Sequence, residues 1–395
     1  MIILAWLALA AALLFATVDA GALLRGEGLA WHHHIDLLVY QAGGHAALSG
    51  ETYYDQVFAV DGTQLPFTYP PFAALVFTPL APLPWQLAAL AWNTATLAAL
   101  WWCIRLLVRD PRTAVLLTAA AAWTEPLTES LSFAQINVFL AALVLSDALF
   151  IAAHPSPSVA RWRGWLTGVA MAIKLTPAVF LAYFFVRRDW RGVAGGIGSF
   201  VACSVVGLLP RPDNSMEYWT ATLRDSERIG ALAYAGNQSL RGFVERLGLG
   251  EGWWLLGVAV LGVVLAVALF IRLREPAALV LVTSLAALLG SPVSWSHHFV
   301  WFVLLAVYFT ARQNWWLAVP TWIVLFARGH WLVPHAHDFE YGWSWWQMLP
   351  GNDYLAWGGV LALCAALSPQ FFERRQARRD HRPARDRDIL YEPQR

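Results

Sequence analysis

Ten long runs of apolar residues occupy nearly half of the sequence, and they restrict the possible folds more than any other feature. They are approximately 2–24, 85–108, 113–127, 134–153, 192–209, 252–272, 276–290, 298–311, 314–330 and 353–369. A helix of about 20 apolar residues crosses a hydrocarbon core of about 30 Å. Only 13% of the residues are charged, whereas a soluble domain carries about 25%. The sequence therefore predicts an all-α, polytopic integral membrane protein with an uncleaved first helix.

A further apolar stretch, residues 164–186, is interrupted by KLTP at residues 174–177. A lysine at the bilayer centre costs several kcal/mol, and proline cannot continue a helical hydrogen-bond ladder, so we expect two short helices that meet there. Short cytoplasmic loops carry the excess of arginine, and the arginine clusters share one side only if this stretch goes out and returns. We expect about twelve spans with cytoplasmic termini, forming one domain over residues 1–372, and a disordered basic tail over residues 373–395.

Polar residues that could take part in chemistry fall on the other side of the membrane. The segments expected there are about 25–84, 210–251 and 331–352, with short turns at 128–134, 174–177 and 291–297. These segments contain or border Asp36, Tyr40, Tyr69, Gln135, Asn137, Lys174, Asn237, Gln238, Arg241, His297 and His298. A transporter more often places polar groups at the midplane of both halves of an internal repeat. The one-sided pattern favours a site that opens at the outer leaflet.

Some of these residues also have a purely structural interpretation. Asp36 is compatible with a helix cap, and Gln135 and Asn137 are compatible with side chains that only satisfy helix ends. For Lys174 we favour anion binding over an ammonium that reaches to the interface, because lysine and arginine are otherwise scarce on this side. A metal site at the adjacent histidines 32–34 is not expected, because three neighbours in sequence cannot all face one ion. The net charge of +1 and the clustered arginines disfavour a nucleic-acid partner.

Six stretches, in this order, resemble the polyprenyl-phosphate-mannose-dependent α-(1→2)-mannosyltransferases of glycosyltransferase family 87, within the GT-C superfamily. They are IDLLVYQAGGHAALSGETYYD (35–55), LPFTYPPFAALVFTPLAPLP (65–84), SFAQINVFLAALVLSD (132–147), GVAMAIKLTPAVFLAYFFVRRDWRG (168–192), YAGNQSLRGFVERL (234–247) and SPVSWSHHFVW (291–301). The resemblance is strongest to the enzymes that elongate phosphatidylinositol mannosides in mycobacteria and their relatives. Lipomannan-branching mannosyltransferases, polyprenyl-phosphate-arabinose-dependent arabinofuranosyltransferases and, in another class, a lipid-linked sugar flippase remain alternatives.

The resemblance implies an enzyme of the plasma membrane whose active site faces the extracytoplasmic side. Its donor would be polyprenyl-phosphate-mannose and its acceptor a glycolipid, with the bilayer as a further partner and a monomer as the expected state. The acidic residue that opens the first outer loop resembles the catalytic base of the family, and it falls on Asp36. A β-linked donor and an α-linked product require one inversion and hence one base for the attacking 2-hydroxyl.

The departing phosphate needs hydrogen-bond donors, and the sequence offers Lys174, one or both of His297 and His298, and Arg241. We therefore assign Asp36 and the two histidines as catalytic, and the other eight polar residues named above as substrate-binding. This chemistry predicts neither a metal nor a cofactor besides the donor.

Overall fold

The computed structural model describes residues 1–19, 30–32, 34–55, 57–60, 63–154, 156–224 and 230–373. Of the predicted basic tail, residues 374–395 lie outside the described residues, and so does His33 of the histidine run.

Helices make up about three quarters of the described chain. Eighteen α-helices in this part of the chain have six or more residues, and about half of them begin and end within a few residues of an apolar run. They are α1 (Ile2–Thr17), α2 (Ile35–Ser49), α3 (Pro71–Phe77), α4 (Trp85–Leu107), α5 (Pro111–Ala121), α6 (Glu125–Phe133), α7 (Asn137–Leu145), α8 (Trp165–Ile173), α9 (Leu181–Val186), α10 (Trp190–Leu208), α11 (Pro212–Thr220), α12 (Leu240–Arg246), α13 (Glu251–Ala266), α14 (Pro276–Gly290), α15 (Val300–Ala311), α16 (Trp315–Ala327), α17 (Trp345–Gly351) and α18 (Asp353–Leu367).

The strands of the described chain form two small antiparallel pairs. They are β1 (Val18–Asp19) with β2 (Ala30–Trp31), and β3 (Val57–Val60) with β4 (Thr63–Pro66). They add only a few side chains to the core: Val18 is buried, and Phe58 and Leu65 pack against the main cluster of buried residues. The prediction of an all-α membrane protein is therefore confirmed in its fold class.

Helix lengths bear on the predicted number of spans. Among the described residues, three helical stretches are long and apolar enough to cross a membrane alone, namely Trp85–Leu107, Trp190–Leu208 and Glu251–Arg272. The helical stretches Glu125–Phe133 and Asn137–Ile151 are long and apolar enough only when they are taken together, and the chain bends by 115° at the break between them. Other apolar helices have 10–17 residues, because prolines and polar turns interrupt the apolar runs. These lengths do not confirm about twelve spans.

Helix α15 lies at the centre of the molecule, whereas α13 lies at its periphery. Every residue of α15 from Val300 to Phe309 is at most 8% exposed. In α13, by contrast, only Leu265 is buried, and large side chains such as Trp253 and Val263 are exposed. Exposed apolar area of this extent is unfavourable in water but not in hydrocarbon. The outer surface of α13 is therefore suited to contact lipid.

The predicted break at residues 174–177 is confirmed. Helix α8 ends at Ile173, and Lys174 has an extended backbone with φ −146° and ψ 131°. A 3-10 segment, Thr176–Phe180, then leads into α9. The break leaves helical backbone groups without their usual partners, which creates a polar position between apolar helices.

Glycines bring the helix before this break close to its neighbour. A Cβ atom on Gly164 would lie 1.9 Å from the carbonyl oxygen of Gly192, and one on Gly168 would lie 1.9 Å from Oγ of Ser199. Small residues allow such close approach of membrane helices. The packing of α8 on α10 therefore holds Lys174 in a defined place.

The outer segments are more helical than the sequence analysis predicted. Segment 25–84 contains α2 and α3, and segment 210–251 contains α11 and α12. The expected turn 128–134 is also corrected, because α6 continues through it to Phe133 and ends at Ala134, which is left-handed with φ 56°.

Candidate active site

Three helix breaks and the first turn of α2 surround a cavity of ≈ 340 Å³. Six residues predicted for the site line it: Asp36, Tyr69, Gln135, Lys174, His297 and His298. Within a membrane protein, unwound backbone occurs where it is buried in protein or lines a water-filled cavity. The polar residues meet here because each follows or precedes the end of a helix.

Asp36 supplies the carboxylate of the cavity. It lies in the first turn of α2, within the predicted outer segment, and is partly buried. The side chain of Gln135 hydrogen-bonds the carboxylate, and Lys174 attracts it electrostatically. Burial outweighs both effects and raises the pKa of Asp36 to about 6. A carboxylate with a pKa in this range is suited to accept a proton near neutral pH.

Lys174 supplies the cation of the cavity. Its Nζ donates to Oδ1 of Asn137 at 3.1 Å and to Nε2 of His298 at 3.3 Å, and it lies 5.7 Å from the centre of the Tyr69 ring. Because Nε2 of His298 accepts this bond, the neutral ring carries its proton on Nδ1. These contacts use two of the three ammonium donors, which leaves the third for a ligand.

His297 presents a buried nitrogen that lacks a partner among the described residues. The residue is 7% exposed and lines the cavity, and its Nε2 forms no hydrogen bond there. Its backbone carbonyl accepts from Oγ of Ser130 at 3.2 Å and from Nδ2 of Asn137 at 3.3 Å. A buried polar atom without a partner costs about 1–3 kcal/mol, so this nitrogen is suited to meet a polar group of a substrate.

Two of the predicted substrate-binding residues lie behind the lining rather than in it. Tyr40 is fully buried, its Oη lies 2.9 Å from Oη of Tyr69, and its ring stacks on Phe77 at 4.3 Å. Asn137 is buried and connects Lys174 to the carbonyl of His297. Their contacts support the lining residues and do not reach the large cavity.

The structure does not bring Asn237 and Gln238 to the cavity. Asn237 is fully buried, and its side chain donates to the carbonyl of Pro292 at 3.2 Å and accepts from the Ser294 amide at 3.0 Å. Gln238 donates to the carbonyls of Ala235 and Gly351, each at 2.8 Å. The side-chain atoms of both residues bond buried backbone groups, and those of Asn237 support the turn before His297. Neither residue lines the cavity for which it was predicted.

Arg241 also lies away from the cavity. Its guanidinium forms an ion pair with Glu245 at 3.6 Å and lies 5.5 Å from the ring of Trp254. Residues 241 and 245 are one helical turn apart on α12, and this face of α12 packs on α13 rather than on the site. The prediction that Arg241 holds the donor phosphate is therefore not supported by its position.

A smaller cavity of ≈ 40 Å³ adjoins the large one at Lys174 and His298. The rest of its lining is mostly apolar and includes Leu140, Phe180 and Trp301, the last two with ring centres 4.6 Å apart. Lys174 and His298, together with Thr176 and Val293, thus lie at the border of the two cavities, and apolar side chains line much of both. A charged border between mostly apolar walls suits a ligand with a charged head and a hydrocarbon tail.

The sequence analysis missed several site residues. The cavity is also lined by Thr68, Thr176, Tyr218, Thr222, Ser291 and Trp295. Outside the cavity, the sequence analysis also missed Glu125, which is 1% exposed and hydrogen-bonded to Trp331 and Tyr354. A glutamate inside the apolar run 113–127 was the available signal, because a charged residue there is expensive unless it has partners.

No group of three or more histidine, cysteine, aspartate or glutamate side chains lies together as a metal site in the part of the chain that the structure describes.

The fold and the site together define a class of protein: a helical membrane protein whose cavity contains the carboxylate of Asp36 and the ammonium group of Lys174. Residues 67–294 match the sequence profile of glycosyltransferase family 87. With relatives of about one-third identity over most of its length, the chain belongs to glycosyltransferase family 87. The predictions of this family and of a glycosyltransferase are confirmed.

Three of these relatives are mycobacterial proteins. A polyprenol-phosphate-mannose-dependent alpha-(1-2)-phosphatidylinositol mannoside mannosyltransferase of Mycobacterium tuberculosis is 34% identical over 372 residues, with 85% of each chain covered. A corresponding phosphatidylinositol pentamannoside mannosyltransferase of Mycolicibacterium smegmatis is 35% identical and covers 85% of this chain and 83% of its own. Another pentamannoside enzyme, of Mycobacterium tuberculosis, is 36% identical and covers 91% of this chain and 85% of its own. No solved structure matches the chain.

Proposed function

We propose that this enzyme transfers mannose from polyprenyl-phosphate-mannose to a phosphatidylinositol mannoside and forms an α-(1→2) linkage. The observation that carries the proposal is the cavity in which Asp36 and Lys174 are connected through Gln135 and Asn137. A base for a hydroxyl and a cation for a phosphate are the two groups that such a transfer needs. The names of the relatives support the sugar, the donor and the class of acceptor.

In the proposed reaction, the 2-hydroxyl oxygen of an acceptor mannose attacks C1 of the donor mannose. Asp36 accepts the hydroxyl proton, the new C1–O bond forms, and the bond between C1 and the phosphate oxygen breaks with its electron pair on the phosphate. One displacement inverts the β-linked donor into an α-linked product. Because the leaving group is already a stable anion, a second carboxylic acid is not required, in contrast to a glycosidase.

The departing phosphate gains negative charge as the bond breaks, and Lys174 and His297 are the groups proposed to meet it. A charge-assisted bond from Lys174 strengthens as this charge develops, which lowers the barrier rather than only improving binding. The unpartnered Nε2 of His297 offers a further bond from its N–H tautomer. We propose no metal, since the cation and hydrogen-bond donors needed are side chains of this protein.

The border between the two cavities is the proposed place of the donor. Its phosphate would lie at Lys174 on the side of the large cavity that His297 also lines, with the mannose in that cavity and the first part of the polyprenyl chain toward Phe180 and Trp301. We propose that the large cavity opens on the extracytoplasmic side, because the arginine clusters of the sequence lie at the opposite helix ends. Short and broken helices would then complete the about twelve traversals that apolar runs indicate.

The test is transfer by the purified protein in lipid nanodiscs. Labelled polyprenyl-phosphate-mannose and polyprenyl-phosphate-arabinose are offered separately, with phosphatidylinositol mannosides of increasing mannose number or with a lipomannan as acceptors. We expect label from the mannose donor in a phosphatidylinositol mannoside, in a bond that an α-(1→2)-specific mannosidase cleaves. Transfer only from the arabinose donor, only to lipomannan, or movement of donor across a vesicle without any product would each overturn the proposal.

A further inference from the structure

A second polar network lies beside the active site, and the proposed mechanism does not use it. His330 is fully buried, its Nδ1 lies 2.9 Å from Oδ1 of Asp353, and its Nε2 lies 3.4 Å from Oε1 of Glu125. Glu125 also accepts from Nε1 of Trp331 at 3.0 Å and from Oη of Tyr354 at 2.7 Å. Three residues, His330, Trp331 and Tyr354, thus bond the carboxylates of Glu125 and Asp353.

The geometry defines the charges of this network. Each ring nitrogen of His330 faces an ionised carboxylate oxygen, which accepts and cannot donate, so the ring carries a proton on both nitrogens. Glu125 and Asp353 lie in the first turns of α6 and α18, where the helix dipole favours negative charge. The network is therefore a carboxylate–imidazolium–carboxylate arrangement with strong internal hydrogen bonds.

Stability alone is a weak reason for such an arrangement. Charges taken out of water lose solvation free energy that their mutual attraction often only offsets, and well-packed apolar residues serve about as well for stability. A fully hydrogen-bonded charge network also fixes the positions of its side chains, because each donor must face its acceptor. The question is therefore which nearby group needs a fixed place.

The nearby group is His297, because helix α6 connects Glu125 with the turn that carries this histidine. The Ser296 hydroxyl hydrogen-bonds Glu125 directly. Ser130, five residues after Glu125 on α6, donates to the carbonyl of His297 at 3.2 Å. The ring of Phe133, near the end of the same helix, packs edge-on against the His297 imidazole with ring centres 5.6 Å apart. Helix α6, which Glu125 ties to the network, thus contacts both the backbone carbonyl and the imidazole ring of His297.

We propose that Glu125, His330 and Asp353 form a positioning network that sets His297 in the catalytic cavity. Glu125 touches neither cavity nor substrate, and it acts on the reaction through the turn at Ser296 and through α6. A displacement of about 1 Å at a reacting group can cost on the order of 100-fold in rate. The inference rests on the proposed function only in the choice of the assay reaction.

The test is a double-mutant cycle on mannosyl transfer with Glu125→Gln, His297→Ala and the double variant. We expect Glu125→Gln to lower kcat by about 10- to 100-fold with little change in the KM of the donor. In the His297→Ala background, Glu125→Gln should have no further effect, because the group that it positions is gone. A double variant whose loss is the product of the two single losses would overturn the proposal, and so would normal kcat in Glu125→Gln.

Asp147→Asn is the matched control. Asp147 is another fully buried carboxylate, and it accepts from the amides of Gly164 and Thr167 at 2.6 and 2.9 Å without touching either cavity. Any loss in Asp147→Asn should persist in full in the His297→Ala background, since a general loss of folded protein does not depend on His297. The wild-type protein is assayed in parallel, and an inactive wild type would count against the proposed function rather than against the network.

A milder variant covers the case in which Glu125→Gln does not fold. Tyr354→Phe removes one bond to Glu125 and keeps the ring, which packs against Phe299 at 4.9 Å and Phe302 at 5.9 Å. We expect a smaller loss of kcat that also disappears in the His297→Ala background. A loss of the same size in both backgrounds would assign the network to structure alone.

Discussion

Replacement of Asp36 by asparagine tests the proposed base most directly. The change keeps the size of the side chain and its capacity to bond Gln135, but the amide cannot accept a proton from the acceptor hydroxyl. Loss of a general base costs about 10²- to 10⁴-fold in rate, which corresponds to about 2.7–5.4 kcal/mol of barrier. We expect kcat to fall by this factor while the KM values of both substrates change little, because the base acts in the transition state.

The pH dependence gives a second readout of the same residue. The base functions as the carboxylate, and burial raises the pKa of Asp36 to about 6. Wild-type activity should therefore be constant above about pH 7 and should fall tenfold for each unit below about pH 6 as the carboxylate is protonated. In Asp36→Asn this acidic limb should be absent from the residual activity.

Stability should change in the opposite direction from activity. The pKa of Asp36 rises from 3.8 in the unfolded chain to about 6 in the folded protein, so the folded state binds the proton more tightly. The contribution of Asp36 to the stability of the folded protein is therefore most favourable below about pH 4, and it is lost as the pH rises through about 6. At pH 7.5 the ionised group costs about 3 kcal/mol, and Asp36→Asn should unfold at a higher temperature than the wild type.

The assay compares initial rates of transfer from labelled polyprenyl-phosphate-mannose at pH 5–8 with thermal unfolding of the same samples. Glu51→Gln is the control, because Glu51 is an exposed carboxylate just beyond the end of α2, and it should leave rate, pH limb and unfolding temperature unchanged. Near-normal turnover of Asp36→Asn, or an unchanged acidic limb, would refute the assignment of Asp36. Lost activity together with a lower unfolding temperature would attribute the loss to folding.

Three further predictions concern the phosphate, the orientation and the absence of a metal. Lys174→Met should lower kcat/KM for the donor by about 10- to 150-fold, since a charged hydrogen bond contributes about 1.5–3 kcal/mol. Lys174→Arg should restore part of kcat/KM, and Arg241→Gln should leave it at the wild-type value. A wild-type kcat/KM in all three variants would exclude Lys174. Ser49 is exposed at the end of α2, so Ser49→Cys in intact cells should react with an impermeant maleimide, and labelling only after the cells are opened would reverse the topology. Chelation by EDTA should leave transfer unchanged, and a loss that Mg²⁺ or Mn²⁺ restores would contradict a metal-free mechanism.

The sequence by itself determined the helical membrane class, the approximate limits of several long helices and the break at Lys174. These features are local: an apolar run sets where a helix can lie in lipid, and a lysine followed by proline sets where it must stop. The same locality explains why Asp36, Gln135 and Lys174 were found, since polar residues at helix ends have few other uses inside a membrane protein.

Only the tertiary structure decided what each polar side chain faces. Asn237 and Asp36 both follow the pattern of a polar residue on an outer segment, yet Asn237 bonds the backbone of Pro292, 55 positions away, and Asp36 lines the cavity. Glu125 shows the reverse case, because its partners at His330 and Tyr354 are more than 200 residues distant. Sequence patterns report burial and helix ends, whereas the choice between a ligand and a distant backbone group depends on which elements pack together, and that is a property of the folded chain.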